Sequence, residues 1–585
     1  MGVPTSDIPT GRLRHSGRLR RRHLPYLESG RWRALLVAGV GLGLVGCGPF
    51  ESEVGAVFRS TGGAATAGEE PAASGGTGVT APTPLPSDSE QLGFDLSGSP
   101  FYTRVQRLTN QQWLRAVTDI LRLADAPDLG SDLIPPPEGV TEFSNNERLL
   151  EVDTVAADAF ELAAESAALL ATSSPAALAA LSSSTESEVF VRELGRRAFR
   201  RPLTEVEEAR YLQLFDRGEN VYGPDFANGA ALVIRAMLQS PSFLYRTELG
   251  PAGEPLSGYE VASKLSFWLL GTTPSDALLD AAGAGELDDA DALESTAREM
   301  LAQPAAAEVM RDFHGQLFHL SSYRKLAKTG VSGWTPAAPA ELEEASYRFF
   351  DALFTRGSGV EEIFSSRRGF VGPAAAPFYG LDDAPAELEE RDLGPARLGY
   401  FMQVPFLSLT GLNDEPSTIR RGGQLMSALC NTLGPPSGTF ALPPVEPDQT
   451  NRERWTALTG TCGGTCHTNY LNPLGFAFEG FDGLGTARES DNGHPVDASG
   501  RYPLSDGIVE FADARALMKI LARHPQTHAC YAKKLASYAL QRDIVDADRD
   551  LLDALTPVSL DGSFKELILA LVTSPSFRVR EKDLP

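Results

Sequence analysis

Cationic side chains are scarce in this sequence of 585 residues. Lys and Arg together number 52, against 77 Asp and Glu, which gives a formal net charge of −25 at pH 7. Proteins that bind nucleic acid rely on Lys and Arg to neutralise phosphates. The deficit therefore argues against a nucleic-acid partner and indicates a solvated, self-repelling surface.

Signature motifs of hydrolases are missing, and strand-like segments are few. The sequence contains neither a G-x-S-x-G nucleophile elbow nor an H-E-x-x-H zinc helix. Few stretches alternate polar and apolar residues as half-buried strands do. We therefore predict a mainly α fold of several helical modules, made of helical hairpins and bundles. A short β-hairpin is expected near residues 488–504, where Asp491, Asn492 and Gly493 form a tight-turn signal.

The apolar run near the N-terminus is too short to cross a bilayer comfortably. It covers residues 34–46, follows a segment with eight arginines, and stops at Cys47. A basic segment, an apolar core and small residues before the break are typical of a secretory signal peptide. Removal of residues 1–46, which hold eight Arg against Asp7 and Glu28, lowers the formal charge to −31.

Residues 44–47 resemble the bacterial lipobox. The resemblance implies cleavage before Cys47 and attachment of diacylglycerol to its sulfur, so that the membrane is a partner through this anchor. An ordinary signal peptide with an incidental cysteine is the alternative. No Asp follows Cys47 directly, which by analogy favours the outer membrane, at its periplasmic face or at the cell surface.

The remaining chain divides into a tether and helical modules. Residues 47–98 are rich in Gly, Ala, Ser, Thr and Pro and cannot bury enough apolar surface to fold. The expected segments are a signal peptide (1–46), the tether (47–98), helical modules at 99–187, 188–255 and 256–390, a cytochrome-like module at 391–506, and a C-terminal helical module at 507–585.

Helix starts are marked by capping boxes, in which Ser or Thr is followed three residues later by Glu or Gln. Four such pairs precede apolar series at helical spacing: Thr109 with Gln112, Thr204 with Glu207, Ser257 with Glu260, and Thr450 with Glu453. Two predicted core faces follow, formed by Trp113, Ala116, Val117, Ile120 and Leu121, and by Val261, Leu265, Trp268 and Leu269.

One internal similarity joins residues 198–243 to residues 539–577. Each segment begins with Ala-x-x-Arg, continues through a helix, and ends in an apolar helix followed by Ser-Pro-Ser-Phe. The pattern predicts two copies of a helical hairpin. The closing phenylalanines, Phe243 and Phe577, are interpreted as packing anchors after a helix stop.

Four cysteines remain once Cys47 is lipidated, and four cysteines permit three pairings. Cys462, Cys466 and His467 come close to the C-x-x-C-H motif of c-type haem attachment, but the spacing has one residue too many. If the close pair bonds to itself or to haem, Cys430 and Cys530 are left as a long-range disulfide.

Three chemistries compete at the cysteine motif. We predict a local disulfide between Cys462 and Cys466, because Gly463 and Gly464 permit closure and exported thiols rarely stay free. Covalent haem ligated by His467 is the alternative. Its distal-ligand candidates are Met402, Met426 and Met518. Zinc, with His494 or Asp497 as a further ligand, and free thiols are the remaining possibilities.

An acidic cluster follows the motif and comprises Glu479, Asp482, Asp491 and Asp497. We expect a structural network with Arg488. Calcium is an alternative because hard cations take carboxylate oxygens, although the spacing does not match an EF-hand. A hydrolase built on Glu479 and Asp482 at i,i+3 is a further alternative.

Nearly everything from residue 100 to residue 580 resembles a family of exported proteins from planctomycetes and myxobacteria, built from consecutive domains of unknown function with a cytochrome-like motif. The segments that carry the resemblance are residues 107–113, 198–204, 240–246, 264–269, 421–422, 429–430, 435–436, 450–454 and 475–485. The resemblance implies no established activity.

The sequence therefore predicts an envelope lipoprotein of an uncharacterised family, with no bound cofactor and a degenerate haem site closed as a disulfide. A c-type haem protein in electron transfer or oxidoreduction is the alternative from a different class. A surface protein that binds polysaccharide is a further alternative, motivated by the tether. Other envelope proteins or a redox partner are possible associates, and the sequence identifies no catalytic residue.

Overall fold

The structure is a computed structural model that describes residues 101–123, 129–131, 133–137, 139, 142–431, 446–460 and 466–580. All of these residues belong to one compact unit. The predicted signal peptide, the tether and Cys47 lie outside the described residues, as does Cys462. Among the described residues, no helix is long and apolar enough to cross a membrane.

Helices dominate the N-terminal part of the described chain, because capping side chains and amphipathic spacing favour them. They are α1 (Asn110–Ile120), α2 (Thr154–Ala171), α3 (Pro175–Leu181), α4 (Ser187–Phe199), α5 (Glu205–Tyr222), α6 (Phe226–Gln239), α7 (Pro241–Leu244), α8 (Gly258–Leu269), α9 (Asp276–Gly283), α10 (Ala290–Met300), α11 (Pro304–Leu317) and α12 (Ala338–Arg356). Capping boxes at Thr109, Thr204 and Ser257 begin α1, α5 and α8, as the sequence predicts.

The C-terminal part is also mainly helical. It contains α13 (Glu361–Ser365), α14 (Ala376–Tyr379), α15 (Val404–Leu409), α16 (Thr418–Ala428), α17 (Asn451–Gly460), α18 (Asn472–Phe476), α19 (Ala514–Leu521), α20 (Pro525–Leu540), α21 (Arg549–Asp561), α22 (Phe564–Thr573) and α23 (Pro575–Arg578). Thr450 and Glu453 exchange the two bonds of the predicted capping box at the start of α17. The mainly α prediction is therefore confirmed.

In the described part of the chain, strands occur as four antiparallel pairs: β1 (Phe101–Arg107) with β2 (Tyr245–Pro251), β3 (Arg368–Val371) with β4 (Glu389–Asp392), β5 (Ser490–Asp491) with β6 (His494–Pro495), and β7 (Gly500–Leu504) with β8 (Gly507–Phe511). The β5–β6 pair is the predicted hairpin, and its turn residues Asn492 and Gly493 both have positive φ, as a type I′ turn requires. The other three pairs were not predicted. The β1–β2 pair joins segments far apart in sequence, which local alternation cannot reveal.

The described residues form two hydrophobic clusters. One is built from α1 to α7, and its buried members include Trp113, Phe190 and Phe243. The larger cluster runs from α8 to α23 and includes Trp268 and Phe577. Both core faces expected from the sequence are buried, with no member more than 5% exposed.

The internal similarity corresponds to two copies of the same four-helix arrangement. Helices α4 to α7 match α20 to α23 in order. The residue that ends the first helix of each copy, Arg200 after α4 and Gln541 after α20, adopts a left-handed conformation. The next residue then pairs with a carboxylate six positions on, Arg201 with Glu207 and Arg542 with Asp548. Phe243 and Phe577 are fully buried, which agrees with their interpretation as packing anchors.

Candidate functional site

The segment predicted to be a cytochrome-like module, residues 391–506, is organised around a buried arginine on α16. Arg421 is fully buried, and its two terminal nitrogens donate hydrogen bonds to the main-chain carbonyls of Leu407, Phe478, Phe481 and Asp482. Burial lowers the pKa of Arg421 to about 10, so the guanidinium stays charged at neutral pH. One side chain thereby fixes the chain after α18 against α15 and α16.

Glycine lets α16 approach the cysteine motif closely. A Cβ atom at Gly422 would lie 2.2 Å from the carbonyl oxygen of Leu471, and one at Gly475 would lie 2.0 Å from the carbonyl oxygen of Thr418. Both contacts are with backbone atoms, which cannot move away as a flexible side chain can. These two glycines therefore hold α16 and α18 at backbone contact distance.

The histidine of the motif begins a π-helical turn, His467–Leu471, which leads directly into α18. His467 is half-buried, and its Nδ1 atom has no hydrogen-bond partner among the described residues. Cys466 is exposed and carries a free thiol in the described part of the chain. Because Cys462 lies outside that part, the local disulfide stays a prediction.

The three methionines proposed as distal haem ligands are core residues. Met402, Met426 and Met518 are 2%, 3% and 0% exposed and belong to the larger hydrophobic cluster. A haem ligand must face the porphyrin. In addition, the ring of Tyr470, in the π-helical turn, packs edge-on against Tyr502 at 6.1 Å between centroids. Among the described residues, His467 is a candidate axial ligand and the three methionines pack against other side chains, and the haem alternative stays a prediction.

Arg488 joins two of the acidic residues, as expected for a structural network. Its Nη2 donates to Glu479 Oε2 at 2.8 Å, and its Nη1 donates to Asp491 Oδ1 at 2.5 Å. The other oxygen of Glu479 accepts from Asn451 Nδ2 at 2.7 Å. Burial raises the pKa of the Glu479 carboxyl, whereas the charge of Arg488 acts in the opposite direction. Both oxygens of this carboxylate are therefore held by neighbouring side chains.

The other two acidic residues have separate roles. Asp482 Oδ1 accepts from the amides of Leu484 and Thr486, both at 2.8 Å, and so closes its own turn. Asp497 accepts from Ser499 and pairs with Arg452 at 3.4 Å.

The structure brings Glu479, Asp491 and Asp497 to one open cavity of about 610 Å³, next to His494. Among the described residues, no group of three or more His, Cys, Asp or Glu side chains is placed to hold a metal ion. Calcium and zinc at these positions stay predictions.

The long-range disulfide is present and connects α16 to α20. Cys430 and Cys530 are bonded, with their Cα atoms 5.4 Å apart and a sequence separation of 100. Cys430 follows α16 and has a φ of 55°, a conformation that costs a non-glycine residue roughly 1 kcal/mol or more. The predicted pairing of Cys430 with Cys530 is confirmed.

Sequence reasoning gave no role to Arg421, Thr418 or Asn451, which form the centre of this module. A signal was available for two of them. Thr418, Arg421 and Leu425 are spaced i, i+3 and i+7, the spacing of one helix face, so the burial of Leu425 implies that of the other two. The partners of Arg421 are main-chain carbonyls. Because every residue has a carbonyl, the sequence does not show which ones accept these hydrogen bonds.

The fold and this module define a mainly helical, disulfide-bonded protein of several domains. Five consecutive segments match models of families described as proteins of unknown function: residues 106–173 (DUF1587), 186–248 (DUF1595), 256–381 (DUF1592), 397–491 (DUF1588) and 509–577 (DUF1585). The chain is thus similar, in chain order, to five domains of unknown function, as the resemblance implied. Neither a curated protein nor a solved structure matches it significantly.

Proposed function

We propose that the protein is an exported lipoprotein of the bacterial envelope whose cytochrome-like module works without haem. The observation that carries the proposal is the disulfide between Cys430 and Cys530. Disulfides of this kind form and persist in oxidising compartments such as the periplasm and the cell surface. The basic and apolar segments before Cys47 supply the matching export signal in the sequence.

The packing around the cysteine motif supports a module without haem. Its framework consists of Arg421, Gly422 and Gly475, and none of these residues depends on a cofactor for its contacts. The burial of the candidate methionines points the same way. We propose that Cys462 and Cys466 close as a local disulfide in this module, which leaves His467 without a metal to ligate.

Expression in a host with a cytochrome c maturation system tests the haem-free module. We expect the purified chain to show no Soret band after denaturation, because thioether-linked haem alone would survive that treatment. A surviving band that is lost in a Cys466→Ser variant would overturn this part of the proposal. If the module is free of haem as proposed, non-reducing peptide mapping of the same sample should link Cys462 to Cys466.

Labelling with radioactive palmitate tests the lipid anchor. We expect the full chain to incorporate label and to sediment with membranes, whereas a Cys47→Ser variant incorporates none and becomes soluble. Cys466→Ser is the matched control, since it removes an exposed thiol without touching the anchor. Equal labelling of the wild type and the Cys47→Ser variant would refute lipidation at this position.

A further inference from the structure

A second cavity lies outside the cytochrome-like module, where four of the five matched domains meet. It has a volume of about 480 Å³. Asn145, Arg246, Trp268 and Gln541 line it, and they come from the segments 106–173, 186–248, 256–381 and 509–577 respectively. Small-molecule sites fall in this size range and occur preferentially between domains. Neither the cysteine motif nor the acidic network contributes to it.

The wall of this cavity includes a buried cation that forms no direct ion pair among the described residues. Arg246 is 6% exposed, and its Nη2 donates to the amide oxygens of Gln106, at 2.6 Å, and Gln541. No carboxylate forms an ion pair with Arg246 among the described residues. A buried charge is costly unless it is paired, so an unpaired guanidinium beside a cavity indicates that an anion can bind there.

Cations outnumber carboxylates around Arg246: Arg104, Arg200 and Lys264 repel its charge, and Glu248 and Glu147 attract it. Two neighbouring cations have their own partners: Arg104 pairs with Glu147 at 3.0 Å, and Lys264 pairs with Glu248 at 3.2 Å. Neither Arg246 nor Arg200 forms an ion pair among the described residues, and Arg200 donates to main-chain carbonyls instead. Burial lowers the pKa of Arg246 to about 10, which still leaves it charged at neutral pH.

Polar atoms without partners surround the same guanidinium. Asn145 Oδ1, Gln541 Nε2 and Arg246 Nε form no hydrogen bond among the described residues, although their side chains are at least nine-tenths buried. Buried polar atoms of native proteins are nearly always satisfied. These three atoms have almost no accessible surface, so they show that the polar packing behind the cavity wall is incompletely satisfied.

The exposed part of the lining carries a net negative charge, from the carboxylates of Glu308 and Asp312 against the cation Arg115. Glu308 and Asp312 are both exposed and both line the cavity. Glu308 pairs with Arg115 at 2.8 Å, and Asp312 accepts a hydrogen bond from the Tyr538 hydroxyl at 2.7 Å. A ligand with a carboxylate at one end and an ammonium group at the other would match both parts.

We propose that this cavity binds a small zwitterion of amino-acid or dipeptide size. Its carboxylate pairs with the guanidinium of Arg246, and its ammonium group lies at the carboxylates of Glu308 and Asp312. Because Nη2 already donates to Gln106 and Gln541, Nη1 is the donor left for a charge-assisted hydrogen bond to the carboxylate. Phe267 and Trp268 supply an apolar wall for the rest of the molecule.

Isothermal titration of the purified full chain with three probes tests the proposal. Alanyl-alanine carries both charges, N-acetylalanine carries the carboxylate alone, and alanine amide carries the ammonium group alone. We expect the dipeptide to bind and each single-charge probe to bind at least tenfold more weakly. No binding of any probe at millimolar concentration would overturn the proposal, and equal binding of the dipeptide and N-acetylalanine would overturn the role of the acidic rim.

The variant Gln541→Glu provides the sharpest comparison, because it places a carboxylate directly on Arg246 with almost no change of shape. We expect this internal counter-ion to raise the melting temperature and to weaken dipeptide binding at least tenfold. Gln213→Glu, the same change at an exposed position of α5, is the matched control and should leave binding unchanged. Dipeptide binding by Gln541→Glu at the wild-type affinity would contradict the proposal.

A rim variant keeps the test decisive if Gln541→Glu fails to fold. Asp312→Asn alters an exposed side chain, so the fold should tolerate it. We expect it to weaken binding of the dipeptide but not that of N-acetylalanine. Equal weakening of both probes would contradict the orientation assigned to the ligand.

Discussion

At the scale of single residues, the contact between α16 and α18 depends on glycine at position 422. Alanine is normally better than glycine inside a helix by about 1 kcal/mol. At this position the added Cβ would meet a backbone oxygen at 2.2 Å. We expect Gly422→Ala to lower the free energy of unfolding by about 2 to 3 kcal/mol, the range of overpacked cores, in urea denaturation.

The next residue provides the control for this variant. A Cβ at Gly423 would meet only the Leu471 Cδ2 atom, at 3.7 Å, which is an ordinary van der Waals contact. Gly423→Ala should therefore stabilise the protein by up to about 1 kcal/mol through helix propensity. Equal effects of the two substitutions would show that backbone approach does not limit position 422.

His314 makes the stability of the protein sensitive to acid. It is fully buried, stacks on Phe350 at 4.8 Å, and bonds through Nε2 to the Tyr531 hydroxyl at 2.8 Å. Burial lowers its pKa from 6.5 to about 3. The folded state thus favours neutral histidine, so this contribution to stability is complete above pH 6.5 and is lost as the pH falls toward 3.

A substitution that cannot titrate removes this pH dependence. Between pH 7 and pH 5, we expect the wild type to lose about 2 kcal/mol that His314→Gln retains, given 1.36 kcal/mol for each pH unit below 6.5. Urea titrations at the two pH values measure the difference. His314→Phe, which also cannot titrate, should follow His314→Gln, and parallel pH profiles for all three proteins would contradict the assignment.

At the scale of elements, the two copies of the four-helix arrangement contain the same ion pair in different surroundings. The Arg542–Asp548 pair is buried, with side chains 6% and 3% exposed, whereas those of Arg201 and Glu207 are 38% and 21% exposed. Removing one partner of a buried pair costs about 3 to 5 kcal/mol, whereas exposed pairs contribute about 1 kcal/mol or less.

Equivalent substitutions in the two copies therefore differ in cost. We expect Arg542→Met to lower the free energy of unfolding by about 3 kcal/mol or more, and Arg201→Met to lower it by about 1 kcal/mol. Chemical denaturation of both variants measures this directly. A larger effect of Arg201→Met would contradict the view that burial sets the importance of the pair.

Local signals explain which elements could be predicted from the sequence. The capping boxes depend on residues three positions apart, and all four predicted boxes occur, together with one at Ser563 and Glu566 that has the same signal and was overlooked. The β5–β6 hairpin follows from Asn492 and Gly493 for the same reason. The β1–β2 pair and the carbonyl contacts of Arg421 depend on segments that meet only in the folded chain, so no local pattern contains them.

At the scale of the whole molecule, the disulfide is the covalent constraint that closes the cytochrome-like module onto the C-terminal helices. Cys430 and Cys530 are separated by 100 residues. In the chain-entropy model, closing a loop of this length stabilises the fold by up to about 4 to 5 kcal/mol. Reduction acts mainly on the unfolded state, because it restores the conformational freedom that the crosslink removes.

We therefore expect Cys530→Ala to lower the free energy of unfolding by about 2 to 5 kcal/mol under oxidising conditions. Dithiothreitol should destabilise the wild type more than the variant, as urea denaturation with and without reductant would show. Equal destabilisation of Cys530→Ala and the wild type by reductant would show that the reductant acts on a different disulfide. The bond between Cys430 and Cys530 would then not account for the stability that reduction removes.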